Sequence, residues 1–384
     1  MSVAPAFCVL VAIRHIGWGA VGKLRLILEK LPNARVTLHG DAHSVAMTKE
    51  YLGPQHTIEI NPPAKFDVAV VINDPPAVNG IADLGAPVVF VDSLSYVRKT
   101  NTEFPPLDRI AYYCAQKYPT DLLPVASPLL NRDNVRWVDP IVPVPQRRRG
   151  GKGVVINLGG LYAYNLAGIT DDLVNEAVDA YLDLVLFPLV EFLQSSNRKI
   201  SAICGNINEE GCRRLRAMVP DGVAVGPQPG DAFERILADA DFLISSPGST
   251  TLLQAMSIDL PTILLPSQNR SQILNARLYS KPGSDLMEWP EQVINDAEFE
   301  RQRSQGVRAV YQYFYRAIIE AAASEELSRE VAAVMRRTLS NAPADGILNP
   351  GLHALGISGA EQVARLIEQV ALGGNRAPAA QFRN

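Results

Sequence analysis

Residues 240–276, ADFLISSPGSTTLLQAMSIDLPTILLPSQNRSQILNA, decide how the chain is read. Asp241–Ser245 is a short apolar run that ends in Ser245-Ser246-Pro247-Gly248-Ser249-Thr250. Apolar spacing then predicts a helix from Thr250 to Ser257, and Pro261–Leu265 a second strand closed by Pro266. The polar segment Ser267–Ser271 leads into a helix carrying Gln272 and Asn275. Strand, glycine turn, helix, strand, helix is a parallel α/β unit. A small turn entering a helix leaves backbone N–H groups and the positive end of the helix dipole free for a phosphate. The plainer reading is a helix simply capped by Ser249 or Thr250.

Working outward, the same alternation continues on both sides. Upstream, Val154–Leu158 reads as a strand ending in Gly159-Gly160, and Asp171–Ser195 as a long helix broken or kinked at Pro188. Ile200–Cys204 and Val223–Val225 are strands, and Glu209–Met218 and Asp231–Ala238 are helices. Downstream, Phe299–Ala323, Glu325–Leu339 and Gly359–Leu372 read as helices. Near the N-terminus, Ala6–Ile13, Val36–His39, Phe66–Ile72, Pro87–Val91 and Ile110–Cys114 are apolar runs suited to buried parallel strands. Lys23–Leu31 has helical spacing. Between the two series, residues 139–153 (DPIVPVPQRRRGGKG) mark a boundary by their prolines, arginines and glycines. The expected division is 1–145, 152–345, and a final helix with a mobile tail over 346–384.

The bulk numbers fit this plan. A chain of 384 residues suits two domains. A hydrophobic content of 47%, charge of 20% and net charge of −4 give no electrostatic case for a nucleic-acid polymer. The cluster Gln146-Arg147-Arg148-Arg149 reads as a solvated linker, with a phosphate patch as the alternative. Cys8, Cys114, Cys204 and Cys212 show no CxxC pair, and the five histidines show no metal spacing, so reduced cysteines and a cytoplasmic location are expected. Ala6–Ile13 is too short to span a membrane, and Val178–Leu193 carries three acids, so no membrane partner is expected.

The loop His15-Ile-Gly17-Trp18-Gly19-Ala-Val-Gly22-Lys23 admits three readings. As a P-loop it lacks the Ser or Thr that should follow Lys23, where Leu24 stands, and Lys23 is then a solvated first-turn residue. As a dinucleotide fingerprint it is completed by Asp41, 24 residues after Gly17, which makes an NAD-dependent oxidoreductase the alternative function. As a substrate-facing loop, its glycines let backbone approach a ligand, and His15 has a side chain suited to general-base work or to bracing the loop. A non-enzymatic nucleotide-binding module is the remaining alternative.

Gly248, Thr251, Leu260-Pro261, Pro266 and Gln272-Ile-Leu-Asn275-Ala276 resemble the donor-binding signature of GT-B glycosyltransferases. The resemblance implies two Rossmann-like parallel-sheet domains facing a cleft, and an inverting, metal-independent transfer from a UDP-sugar with no further cofactor. It implies diphosphate contacts at Gly159, Gly160, Gly248, Ser249 and Thr250, with the loop glycines Gly17 and Gly19 opposite. Gln254 stands where the family has a ribose-binding Glu, and Ser271 where it has Asp. Gln228 would lie by the base, and Gln268, Arg270 and Gln272 by the sugar, with Arg277 flanking. His15 would be the catalytic base, oriented by Asp92 or, second, Asp74; Trp18, Tyr96, Tyr112 and Gln116 would meet the acceptor. Nucleotide-sugar 2-epimerases share the two-domain plan.

The phrases IGWGAVGKLRLIL, VVFVDSLSY…AQKYP, ISSPGSTTLLQA and LPSQNRSQILNARLY are similar to cytosylglucuronate and hydroxymethylcytosylglucuronate synthases of nucleoside-antibiotic pathways. That narrower resemblance implies UDP-glucuronate as donor and a free cytosine or hydroxymethylcytosine as acceptor. A second copy of the chain, as a homodimer, is an optional partner.

Overall fold

The computed structural model describes residues 7–12, 18–52, 58–59, 65–98, 103–119, 123, 125–143, 147–148, 151–159, 169–228 and 230–373. They fall into two compact units. One holds β1 (Phe7–Ala12), residues 20–142 and the residues from 355 onward; the other is centred on 143–354.

The first unit runs β1, α1 (Trp18–Leu28), β2 (Ala34–His39), α2 (Ala42–Leu52), β3 (Ile58–Glu59), β4 (Val68–Ile72), α3 (Ala77–Ala82), β5 (Val88–Asp92), β6 (Tyr112–Gln116) and β7 (Val135–Val138). Its seven strands are ordered β3-β2-β1-β4-β5-β6-β7, every neighbouring pair parallel. Continuous apolar runs make sense here because both sheet faces are covered. Along β1, Val9 and Val11 enter one core while Leu10 and Ala12 enter another on the opposite face.

The second unit runs β8 (Val154–Asn157), α4 (Asp171–Tyr181), α5 (Phe187–Ser195), β9 (Ile200–Cys204), α6 (Glu209–Met218), β10 (Ala224–Gly226), α7 (Gly230–Asp239), β11 (Phe242–Ser245), α8 (Ser249–Ser257), β12 (Thr262–Leu264) and α9 (Arg270–Tyr279). Then come α10 (Asp296–Ser304), α11 (Val307–Ala323) and α12 (Glu325–Ser340). Its five strands are ordered β10-β9-β8-β11-β12, again all parallel. The chain therefore moves outward from β8 in one direction, then restarts on the other side of β8 with β11. That reversal makes a topological switch point between the C-terminal ends of β8 and β11, where open α/β sheets bind ligands.

Two parallel-sheet α/β units in succession bear out that part of the expected fold. The helix expected over Asp171–Ser195 has a π-helical segment, Leu182–Leu186, between α4 and α5. Pro188 has no N–H to donate, and a wider turn just before it absorbs the missing bond. The single helix expected over Phe299–Ala323 is two, because Gly306 sits at φ 106° between α10 and α11. The last helix, α13 (Gly359–Ala371), returns to the first unit, where Val363, Ala364 and Ile367 pack into the core with β1 and β4 residues. The tail beyond 373 lies outside the described residues.

Candidate functional site

The switch point is built from three strand ends and two helix starts, all in the second unit. β8 ends at Asn157, in register with Ser245 at the end of β11. The Asn157 side-chain amide donates to Ser245 Oγ (3.1 Å) and to Thr251 Oγ1 (3.3 Å) on α8. Its carbonyl oxygen accepts from Ser246 N (2.8 Å). One asparagine thus ties strand β8 to the turn and to the helix that follows it. Gly159, two residues on, has φ 60°, a left-handed conformation that favours glycine. A β-carbon there would stand 2.6 Å from Ser246 Oγ, so the two turns touch without room for a side chain.

α8 begins at Ser249, and its N-cap is Gly248, which offers no side-chain acceptor. The plainer expectation, a Ser249 or Thr250 cap, is therefore overturned. Gly248 has φ −75°, and nothing lies within 4 Å of where its β-carbon would be. No acid stands in the first turn. The β-carbon direction at Gly248 is open, and the dipole end with its first N–H groups suits an anion. Ser249 and Thr250 are the first two residues of α8, half-buried.

α9 begins beside this turn. Asn269 caps it by accepting from Gln272 N (3.1 Å), and Asn275 Nδ2 donates to Pro247 O (2.7 Å), pinning the turn that precedes Gly248. Gln268 Nε2 donates to Leu158 O (2.9 Å), bridging β12's loop to the end of β8. Gln272 Oε1 accepts from Gln268 N (2.7 Å), and its Nε2 reaches Gln268 Oε1 at 3.4 Å. Both glutamines are buried, and the Gln272 amide holds the Gln268 loop. Behind the loop, Tyr181 Oη donates to Pro266 O (2.9 Å) and Trp289 Nε1 to Ser267 O (2.6 Å).

Gln254 lies one turn after Thr251 on the same face of α8, is buried, and its side-chain amide makes no hydrogen bond among the described residues. Gln228 is half-buried after β10, its Nε2 3.4 Å from Gly226 O. Arg270 is the first residue of α9. Arg277 shares its helix face but is half-exposed and engaged at 3.5 Å by Glu288 and 3.8 Å by Asp296, so it serves the surface of the unit.

Several expectations for the first unit are corrected. Asp92 was expected to orient a catalytic histidine. Its carboxylate is fully buried and occupied: Arg98 Nε donates at 2.7 Å, Leu94 N at 2.9 Å, and the Tyr113 hydroxyl donates as well. Burial and the Asp92 charge push the Tyr113 hydroxyl far above its ordinary range, so it stays a donor. Tyr96, expected at the acceptor, is buried with its ring against Tyr118 at 5.2 Å. Gln116 closes β6, is buried, and its Oε1 accepts from Ile141 N (3.1 Å). Tyr112 carries Arg136 over its ring at 5.0 Å. Lys23 is not solvated: it is buried, and desolvation lowers its pKa to about 7. Asp41, the acid of the dinucleotide reading, accepts from Ser44 N (2.9 Å) and Ser44 Oγ (2.6 Å) at the start of α2, as a helix cap does. Arg148 and Lys152 pair with Asp239, and Arg147 donates to Asp259 O, so this pair of linker arginines is docked on the second unit.

His15, Gly17 and Gly160 lie outside the described residues, as does the side chain of Trp18; Gly19 is in the first turn of α1. Asp74 precedes α3, its carbonyl accepting from Ala77 N (3.1 Å). Asn157, which ties β8 to the turn and to α8, is not among the residues the sequence singles out. The signal for Asn157 was a polar residue ending an apolar strand just ahead of Gly159-Gly160.

Among the described residues, no helix is long and apolar enough to cross a membrane. No curated protein matches the chain. Among solved structures it is similar to S. aureus MnaA in complex with UDP (11% identity, 96% of each chain covered, TM-score 0.47). It is also similar to Acinetobacter baumannii MurG (13%, 94% of this chain and 99% of that one, 0.46) and Arabidopsis thaliana UGT89C1 (12%, 95% and 99%, 0.48). At these scores the overlaps add nothing to the topology above. The family model described as CGA synthase-related protein matches residues 33–304, which takes in the strands β2 to β12 and the whole of the β8–β11 switch point, and the chain belongs to that family.

Proposed function

We propose that the chain is a UDP-sugar-dependent glycosyltransferase of the GT-B kind, working by direct displacement with inversion. The observation that carries this reading is the side-chain-free N-terminus of α8 at the switch point, capped by Gly248 and flanked by the left-handed Gly159. Charge develops on the leaving diphosphate, and backbone N–H groups already oriented there stabilise it without reorganising. Gln254 is the group placed to meet the ribose; an amide has one accepting oxygen where a carboxylate has two.

The finer reading is transfer of glucuronate from UDP-glucuronate to cytosine or hydroxymethylcytosine, in keeping with the CGA synthase-related description of the family. A ring nitrogen of the acceptor would attack the anomeric carbon as UDP leaves. His15 is the proposed base, now without Asp92 as its partner, and Trp18 the proposed acceptor contact. Arg270 is the proposed partner of the donor carboxylate.

The test is incubation of the protein with UDP-glucuronate and cytosine, following UDP release and the mass of the product. Acceptor-dependent UDP release with a glucuronosylated base is expected. UDP release from UDP-glucose but never from UDP-glucuronate would overturn the donor assignment. Absence of release with any UDP-sugar would overturn the enzyme class.

A further inference from the structure

β12 is an edge strand of its sheet, and just past its end Leu265 N still donates to Ser245 O (2.8 Å). The next two carbonyls, of Pro266 and Ser267, lie between β12 and α9, outside regular structure. Each is met by a buried aromatic donor from elsewhere in the unit: Tyr181 Oη for Pro266 O (2.9 Å) and Trp289 Nε1 for Ser267 O (2.6 Å). The two rings stand edge to face, with centroids 5.9 Å apart and planes at 75°. That arrangement is a favourable one, so each ring helps to seat the other. Burial pushes the Tyr181 hydroxyl above its ordinary range, and the Gln268 amide beside it offsets only part of that, so the hydroxyl stays a donor.

These bonds act on a segment that packing alone does not fix. A cavity of about 320 Å³ borders Ser267 and Trp289 on the side of Ile273 and Arg277, so the loop has open space beside it. What holds the loop is directional. Besides the two aromatic donors, Gln268 Nε2 donates to Leu158 O (2.9 Å), just past β8, and Gln268 N donates to Gln272 Oε1 (2.7 Å) on α9. Tyr181 and Trp289 therefore fix where Gln268 lies and, through the Asn269 cap, where Arg270 begins α9. The loop stands at the C-terminal end of a parallel strand, the side on which open α/β sheets bind ligands. Groups that meet a ligand in one geometry need supporting hydrogen bonds behind them.

We propose that Tyr181 and Trp289 are positioning residues of the donor site, holding loop 266–269 so that the sugar of the donor is met in one geometry. This rests on the glycosyltransferase reading, with Arg270 on the sugar side, and adds two residues that touch no ligand themselves. Their effect falls on the sugar and not on the nucleotide, which separates positioning from general stability.

The experiment is calorimetric titration of UDP, UDP-glucose and UDP-glucuronate into the full-length wild type, Trp289→Phe, Tyr181→Phe and Val190→Ala, with a thermal melt of each ligand-free protein. Both phenylalanine changes keep a ring and remove the donor. Val190 is fully buried on α5 in the core of the same unit, and its truncation supplies a melting loss that removes no loop hydrogen bond. The UDP-sugar that the wild type binds best should bind about tenfold weaker to each phenylalanine variant, with UDP within about twofold of wild type. Val190→Ala should melt lower and bind both as the wild type does. If Trp289→Phe fails to fold, Tyr181→Phe, which deletes a single oxygen, carries the test. UDP and UDP-sugar weakened by the same factor would overturn the assignment, as would unchanged UDP-sugar affinity in the phenylalanine variants or an equal loss in Val190→Ala. In each of those cases the donor site itself would stand. A wild type that binds no UDP, or UDP but neither sugar nucleotide, would overturn the glycosyltransferase reading and this proposal with it.

Discussion

Asp139 and Ser358 are 219 residues apart in sequence, and the Ser358 hydroxyl donates to Asp139 Oδ2 at 2.7 Å. Around this contact the other groups converge. Lys117 Nζ donates to Oδ1 (2.8 Å), Ser358 N to Oδ2 (3.2 Å), and Asp139 N to Gln362 Oε1 (2.7 Å). The cluster fixes the start of α13 to the segment following β7, so the last helix is clipped to the first unit by one carboxylate. Burial pushes the Asp139 pKa up, but the hydrogen bonds from Lys117 and Ser358, with the Lys117 charge, outweigh it and leave the pKa lowered.

Because the folded pKa lies below the unfolded one, Asp139 contributes stability above the ordinary carboxylate range and loses it as pH falls through the lowered value. Asp139→Asn should destabilise the protein by about 1–3 kcal/mol at neutral pH, and Asp139→Ala by about 3–5 kcal/mol. Denaturant melts from pH 7 to pH 3 should show a smaller acid loss in Asp139→Asn than in wild type.

The close approach of α13 also depends on glycine. A β-carbon at Gly359 would lie 1.9 Å from the Asp139 carbonyl oxygen, a backbone atom that cannot step aside. Gly359→Ala should therefore cost about 3 kcal/mol or more. Gly80, inside α3 with nothing within 4 Å, is the internal contrast. Gly80→Ala should gain about 0.5–1 kcal/mol. Equal effects of the two changes in urea melts would contradict the packing described.

Asp92, Arg98 and Tyr113 make a buried charge cluster, and the prediction separates structure from chemistry. Removing one partner leaves a buried charge, so Arg98→Ala should destabilise by about 3–5 kcal/mol. Asp92→Asn should lower the melting temperature while turnover per folded molecule stays within a few-fold of wild type. A loss of turnover with an unchanged melting curve would return Asp92 to a catalytic role.

Lys23 gives a second pH test, at the alkaline side. Desolvation lowers its pKa to about 7, so above that pH the folded state holds it neutral while the unfolded chain still binds the proton. The unfolded state binds more protons there, and stability rises with pH from about 7 to the ordinary lysine range. Lys23→Met should flatten that rise in melts taken between pH 7 and pH 10.

These residues also show what was legible beforehand. The parallel strands announced themselves because residues buried on both faces leave long apolar runs, and Val9 to Ala12 serve two cores at once. The glycine turn at Gly248 was readable because small residues between a strand and a helix have few other uses. Asp92 misled, since an acid ending an apolar strand looks the same whether it awaits a substrate or an arginine six residues on. Nothing in the string distinguishes Ser246 from Ser245, and only the geometry shows that, among the described residues, one hydroxyl is hydrogen-bonded and the other is not. The docking of α13 was equally hidden, because its partners come from the far end of the chain.

The Gly248-capped N-terminus of α8 is the proposed seat of the diphosphate of a UDP-sugar. Gly248 has an ordinary φ and free space where a side chain would go, so Gly248→Trp should leave the fold intact while filling the position of the ligand. The measurement is calorimetric titration of UDP into wild type and Gly248→Trp, each checked by thermal melting. Binding to the wild type and none to the variant, at an unchanged melting temperature, is expected. Equal UDP affinity in the two proteins would contradict it.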